Sequence, residues 1–232
     1  LPLQDGFDNA GLQIGLTEVE ATGALLCLDV TEAVLDEAIA LGHNLVISHH
    51  PLIFKGYKSI TGKDYVERCI LKAIKNDIVI YSAHTNLDNA YGGVNYKIAE
   101  KIGLKNLQVL EPKENSLQDD LMQAGAGIVG ELDEPETELE FLKRIKKTFE
   151  VGCVRHNRLT GREIQKVALC GGAGAFLLPQ AIRAGADVFI TGEIKYHDYF
   201  GHEGDILMVE IGHYESEQYT KEIFYSIIRD LF

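Results

Sequence analysis

No run of about 18 apolar residues occurs in the 232-residue chain, which excludes a membrane-spanning helix of the usual kind. Positive charge is in deficit: 22 Lys and Arg stand against 35 Asp and Glu, a formal charge of −13. Non-specific nucleic-acid binding needs phosphates neutralised by Lys and Arg, so that class is not expected. The four cysteines (Cys27, Cys69, Cys153 and Cys170) contain no C-x-x-C pair. They read as reduced, mostly buried thiols and point to a cytoplasmic setting. No signal peptide is visible. The chain starts at Leu1, not Met, so the natural N-terminus is expected to lie outside it. Gly171-Gly172-Ala173-Gly174 is neither a full dinucleotide fingerprint nor a P-loop, which would need a following Lys-Ser/Thr.

What remains is an ordinary globular composition, 46% apolar and 25% charged, long enough for one large or two small α/β domains. Apolar strands are expected at Gly23–Asp29, Asn44–Ser48, Ile78–Ala83, Ile164–Cys170, Asp187–Thr191 and Ile206–Ile211. Helices are expected from Thr31 to Gly42 and over Lys63–Lys75, Tyr91–Lys101, Ala175–Ala184 and Glu215–Arg229. A further amphipathic helix is marked by Leu139, Phe141, Leu142, Ile145 and Phe149, and the acidic run Glu131–Glu140 before it reads as a solvated face. Alternation of strand and helix predicts an α/β fold with mostly parallel or mixed sheets covered by helices. The two halves echo one another at an offset of 143: Ala38-Ile39-x-x-Gly42 matches Ala181-Ile182-x-x-Gly185, and Asn44–Ser48 falls on Asp187–Thr191. The expected organisation is a first half over 1–110, a polar linker over 111–126 and a second half over 127–232.

Four clusters follow strands, where open α/β sheets usually place their sites. Ser48-His49-His50-Pro51 sets two imidazoles at a strand tip; extended backbone would aim them apart, toward two different ions. His84-Thr85-Asn86-Leu87-Asp88 offers an imidazole and a hard carboxylate, although Asp88 is also good N-cap chemistry. In Gly212-His213-Tyr214-Glu215-Ser216-Glu217, one helical turn would bring His213 to Glu217, unless the acidic residues merely favour a helix start. Glu193 and His197, in Thr191–Asp198, could act as acid/base groups, and Lys195 could hold a phosphate or carboxylate. His43, His156 and His202 have no ligand company at such spacing. The glycines at 171–174 serve either as a tight strand-to-helix turn or as an anion seat. Three histidines and two carboxylates suit Zn, Fe, Mn, Ni or Co, and a bridging carboxylate would let them serve two ions.

The motif Phe7-Asp8-Asn9-Ala10-Gly11-Leu12-Gln13-Ile14-Gly15, taken with the four clusters above, resembles the Nif-three-like family (NGG-one-interacting factor three). Members are also called GTP cyclohydrolase I type 2 homologues. Phe7 stands where the family usually has Trp. The resemblance implies two interlocked α/β domains, a ring-shaped homohexamer and two divalent metal ions per subunit. It also implies that His50 and Asp88 hold one ion, His49 and His213 the other, and Glu217 bridges them. His84, Glu193 and His197 would line the same cavity. Long members carry an inserted central domain; Ala124-Gly125-Ala126-Gly127 is similar to the return point after one.

Two function classes follow. One is a metal-dependent hydrolase acting on a small, nucleotide-like substrate. The other is a metal-handling or regulatory module that meets protein partners without catalysis.

Overall fold

The computed structural model describes residues 2–113, 124–202 and 204–231. The chain forms two compact units: Leu1–Leu87 with Thr220–Phe232, and Asp88–Tyr219. That division falls at Leu87 and Tyr219, not within the expected linker 111–126, of which residues 114–123 lie outside the described residues.

The first unit holds strands β1 (Gly11–Ile14), β2 (Ala24–Cys27), β3 (Leu45–Ser48) and β4 (Val79–Ser82) in the order β1-β4-β3-β2. The last three are parallel, and β1 is antiparallel to β4. Helix α1 (Glu32–Leu41) starts where Thr31 accepts from the Val34 N–H at 3.3 Å and stops at Gly42, whose φ of 69° needs glycine. Helix α2 is Tyr65–Lys75, and the short helix α3 is Thr85–Asp88. The final helix, Thr220–Leu231, packs on β2. Leu35 and Ala38 of α1, Cys69 and Ala73 of α2 and the strand residues Val46 and Ile80 form the core, all fully buried.

The second unit contains helix α4 (Val94–Ile102), β5 (Lys105–Pro112), β6 (Gly125–Thr137), helix α5 (Glu138–Thr148), β7 (Arg155–His156), β8 (Glu163–Cys170), α6 (Leu178–Arg183), β9 (Val188–Thr191), β10 (Leu207–Glu210) and α7 (His213–Glu217). Its six-stranded sheet runs β5-β6-β8-β9-β10-β7. Only the β8-β9 and β9-β10 pairs are parallel. The fold is therefore mixed α/β, with mixed sheets flanked by helices. Each unit has a parallel triplet, with Cys27, Ser48 and Ser82 in register in one and Cys170, Thr191 and Glu210 in the other. The 143-residue offset lays β3 onto β9.

Three expectations need correction. Strands β1, β5, β6 and β7 carry no strong alternation and were not anticipated. The acidic run at 131–140 is a solvated face only in part: residues 131–137 belong to β6, Asp133, Glu134 and Glu140 are exposed, but Glu138 is buried. Its carboxylate accepts from the Thr160 N–H (2.7 Å), the Thr160 hydroxyl (2.8 Å) and the Gly161 N–H (2.9 Å), which offsets the cost of burial. The last helix is two helices, interrupted between Glu217 and Thr220.

Glu67 of α2 shows the same device. Its fully buried side chain accepts from the Thr61 N–H (2.8 Å), the Lys63 N–H (3.1 Å) and the Thr61 hydroxyl (3.1 Å). These bonds, led by the Thr61 backbone, lower the carboxyl from an ordinary 4.5 to about 2. A pKa depressed in the folded state contributes stability above pH 4.5 that is lost as pH falls toward 2. Glu67→Gln should therefore show a melting-temperature deficit that is full at pH 7 and shrinks steadily below pH 4.5. An equal deficit at neutral and strongly acid pH would contradict this account.

Candidate metal centre

In the first unit, β3 ends at Ser48 and β4 at Ser82, and their buried hydroxyls lie 2.7 Å apart. The chain then leaves the sheet. His49 N–H donates to Cys27 O (3.3 Å) and His50 N–H to Leu28 O (2.9 Å), so residues 49–50 form a bend, not extended strand. The expected divergence of the two rings is thereby overturned: their centroids are 4.9 Å apart. His84, two residues beyond β4, brings a third ring 5.2 Å from His49 and 5.4 Å from His50. One ligand nitrogen from each of the three lies within 4.8 Å of the others, a group that could hold a metal ion.

Each imidazole is oriented by an oxygen. His49 Nδ1 is 2.8 Å from the Ala83 carbonyl, His50 Nδ1 is 2.8 Å from Asp29 Oδ1, and His84 Nδ1 is 2.7 Å from Asp8 Oδ1. A carbonyl or carboxylate oxygen only accepts, so Nδ1 carries the proton and Nε2 keeps its lone pair. That is the arrangement by which outer groups prepare histidine for a cation. Asp8 also accepts from the Thr85 hydroxyl (2.6 Å) and N–H (3.1 Å). Burial acts to raise the Asp8 carboxyl, but the bonds from His84 and Thr85 outweigh it and hold the group below its ordinary range. Burial lowers His84, and neighbouring His49 and His50 add to this; the bond to Asp8 recovers only part. A neutral imidazole, the ligating form, is favoured.

In the second unit, α7 begins three residues past β10 and brings His213 Nε2 to 3.2 Å from Glu217 Oε2. His213 Nδ1 is 2.8 Å from Glu193 Oε1, repeating the pattern of the other three histidines. Glu193 thus orients a ring, a role sequence reading did not foresee. Glu217 is buried, only 4% exposed, and Gly172 makes room for it. A Cβ at Gly172 would stand 2.4 Å from Glu217 Oε1, at a φ of 59° that disfavours other residues. Ser216 Oγ accepts from the Gly172 N–H (3.0 Å) and donates to the His213 carbonyl (2.8 Å), tying glycine loop to helix. The N–H groups of Gly171 and Gly174 go to Asn95 Oδ1 and Thr191 Oγ1. The glycine run is thus a tight strand-to-helix turn, with three of its N–H groups used inside the fold.

The remaining expected site residues stand as follows. Asp88 closes α3, and its carbonyl accepts from Asn95 Nδ2 at 3.1 Å; helix α4 is capped by Gly93 instead. Lys195 and Glu193 border a cavity of about 380 Å³ with Phe176 and Asp198. His197 packs its ring on Tyr196 (5.1 Å) and Phe200 (5.8 Å); among the described residues it joins no metal-capable group. Sequence reading assigned no role to Asp8 or Asp29. The former lies in the quoted Phe7–Gly15 motif and the latter ends an apolar segment, but neither is near its histidine in sequence.

Fold and donors together define a mixed α/β protein with His and Glu groups that could hold a metal ion. The full span, residues 1–232, matches the Duf34/NIF3 family (NGG1p interacting factor 3), and the chain belongs to that family. A Clostridium perfringens relative named GTP cyclohydrolase 1 type 2 homolog is 38% identical over 218 residues, 93% of this chain and 80% of the relative. A Staphylococcus aureus protein of the same name is 28% identical over 327 aligned residues, 98% of this chain and 89% of the relative. A Bacillus cereus protein related to NIF3 superposes with a TM-score of 0.88 at 28% identity, covering 99% of this chain and 89% of that one.

Gly172→Ala should lower the melting temperature and weaken binding of added Zn by about tenfold or more, because it displaces the Glu217 carboxylate, a member of a group that could hold a metal ion. Gly185→Ala is the control: its φ of 69° carries similar strain, but nothing lies within 4 Å of a Cβ there. It should lower the melting temperature alone. Equal zinc affinity in the two variants would refute the packing role of Gly172.

Proposed function

We propose that this chain is a dinuclear divalent-metal protein with hydrolase chemistry on a small, nucleotide-like substrate. The observation that carries the reading is the repeated oxygen partner on Nδ1 of His49, His50, His84 and His213. In this reading His49, His50, Asp88, His213 and Glu217 hold two ions drawn from Zn, Fe, Mn, Ni or Co, with Glu217 shared. The donors fit such ions: neutral imidazole nitrogen and carboxylate oxygen, with no thiolate. Bound in pairs, such ions supply an activated water and stabilise developing oxyanion charge.

The chain's own groups do the rest. Asp8 holds the His84 proton on Nδ1 and leaves Nε2 as the acceptor for a proton in transit. Glu193 fixes the His213 ring, and His197 is assigned as a second proton carrier. Relatives named GTP cyclohydrolase 1 type 2 homolog support a nucleotide as the substrate class. The same reading includes a homohexameric ring and a cytoplasmic setting. It also puts an insertion near 111–126 in longer members; the Staphylococcus aureus alignment spans 327 positions against 232 residues here.

Elemental analysis of the purified protein should give two metal equivalents per chain. Glu217→Gln should lose at least one of them and most turnover in a screen of nucleotides with metal-loaded protein. Unchanged turnover in Glu217→Gln would end the catalytic claim. Rapid metal exchange with no substrate turned over would favour the metal-handling module, to which the family description, an interacting factor, lends support.

A further inference from the structure

A cavity of about 620 Å³ in the second unit is bordered by residues 154–158 and by Tyr196, Tyr199 and Phe200. None of the donors discussed above borders it. Its size falls within the range of small-molecule pockets.

Half of its wall is locked. Glu210, buried at the end of β10, pairs with Arg155 through one oxygen and accepts from the Tyr199 hydroxyl through the other at 3.2 Å. Arg155 is thereby neutralised, and burial with the nearby Glu210 charge pushes the Tyr199 phenol up to about 12. Asn157 spends both ends of its amide on backbone, donating to Ile206 O (3.0 Å) and accepting from Met208 N–H (2.9 Å). These bonds fix the segment after β7 against β10.

The other half is uncommitted. Arg158 is exposed and makes no ion pair among the described residues, so the cavity keeps a net positive charge in a chain of charge −13. Tyr196 is 73% exposed and Phe200 51%, and their rings meet edge to face, with centroids 5.1 Å apart and planes at 88°. Large aromatic surface left in water beside a free guanidinium suits a ligand with both a flat ring and an anion. The ring lies on Tyr196 and Phe200, and the anion takes the planar N–H fork of Arg158.

We propose that this cavity binds a small aromatic phosphate, of the mononucleotide kind, through Arg158, Tyr196 and Phe200. The site is independent of the metal ligands and stands whether or not the metal reading does.

Isothermal titration of the full-length, metal-loaded protein with AMP, adenosine and inorganic phosphate tests it. AMP should bind saturably, and adenosine and phosphate each more weakly by about tenfold or more, since each offers half of the recognised chemistry. Arg158→Ala and Tyr196→Phe probe the charge and the hydroxyl, and Tyr196→Ala removes the ring. Arg158→Ala and Tyr196→Ala should weaken AMP by about tenfold or more while Tyr196→Phe, which keeps the ring, binds like wild type. Metal content and melting temperature should stay at wild-type values in all three. Glu217→Gln should retain AMP at this site, which separates the cavity from any nucleotide held by the metals. Wild-type AMP affinity in Arg158→Ala and Tyr196→Ala would overturn the proposal, as would no AMP binding at all. Tighter binding of single-stranded DNA than of AMP through the same residues, or a change of oligomeric mass in Arg158→Ala without AMP binding by wild type, would also overturn it.

Discussion

The chemistry of this chain depends on one hydrogen bond made four times: an oxygen set against the Nδ1 of a histidine. Ala83 O, Asp29, Asp8 and Glu193 fill that place for His49, His50, His84 and His213, all at 2.7–2.8 Å. The bond does two things together. It stops rotation of the ring and it assigns the proton, so the far nitrogen of His49, His50 and His84 keeps a lone pair, while that of His213 faces the Glu217 carboxylate. Without it, a half-buried imidazole would choose its tautomer by chance and would lose orientation entropy on meeting a cation. The sheets serve this arrangement. Parallel triplets end at one level, and the chain bends off each tip with its backbone N–H groups tied to the neighbouring strand.

Much of this was legible from sequence, and the reason is local. Strands β2, β3, β4, β8, β9 and β10 are short apolar runs, and His49, His50, His84 and His213 come within three residues of the ends of β3, β4 and β10. Helix α1 announces both its ends through Thr31 and Gly42. One turn of helix joining His213 to Glu217 needs only their spacing. What was missed depends on partners far away in sequence. Asp8 meets His84 across 76 residues and Asp29 meets His50 across 21, so spacing could not pair them. Strands β5 and β6 lack apolar alternation, and the second half of β6 is acidic. Pairing of Glu136 with Ile164 and Thr137 with Glu163 makes it a strand where local propensity does not.

The two histidines at 49 and 50 carry a more particular lesson. Alternation of side chains applies only while backbone stays extended, and here the strand stops one residue earlier. The burial of Glu67, Glu138 and Glu217 carries another. Acidic residues in a chain of charge −13 invite the reading of solvated surface, yet two of these three are buried because backbone N–H groups and hydroxyls are aimed at them. For Glu217 the surrounding glycine loop does the accommodating, and its opposite partner is an imidazole nitrogen, a pairing suited to sharing a cation.

The most direct measurement is long-range proton–nitrogen NMR of the histidine rings, titrated with zinc in wild-type protein and in Asp29→Asn and Glu193→Gln. The account predicts Nδ1-protonated rings for His49, His50, His84 and His213 before metal. On adding zinc, the Nε2 resonances of His49, His50 and His213 should move while their Nδ1 protons persist. The two variants should need about 10- to 100-fold more zinc for the same change at His50 and His213. Ligation through Nδ1, or Nε2 resonances indifferent to the metal, would contradict it.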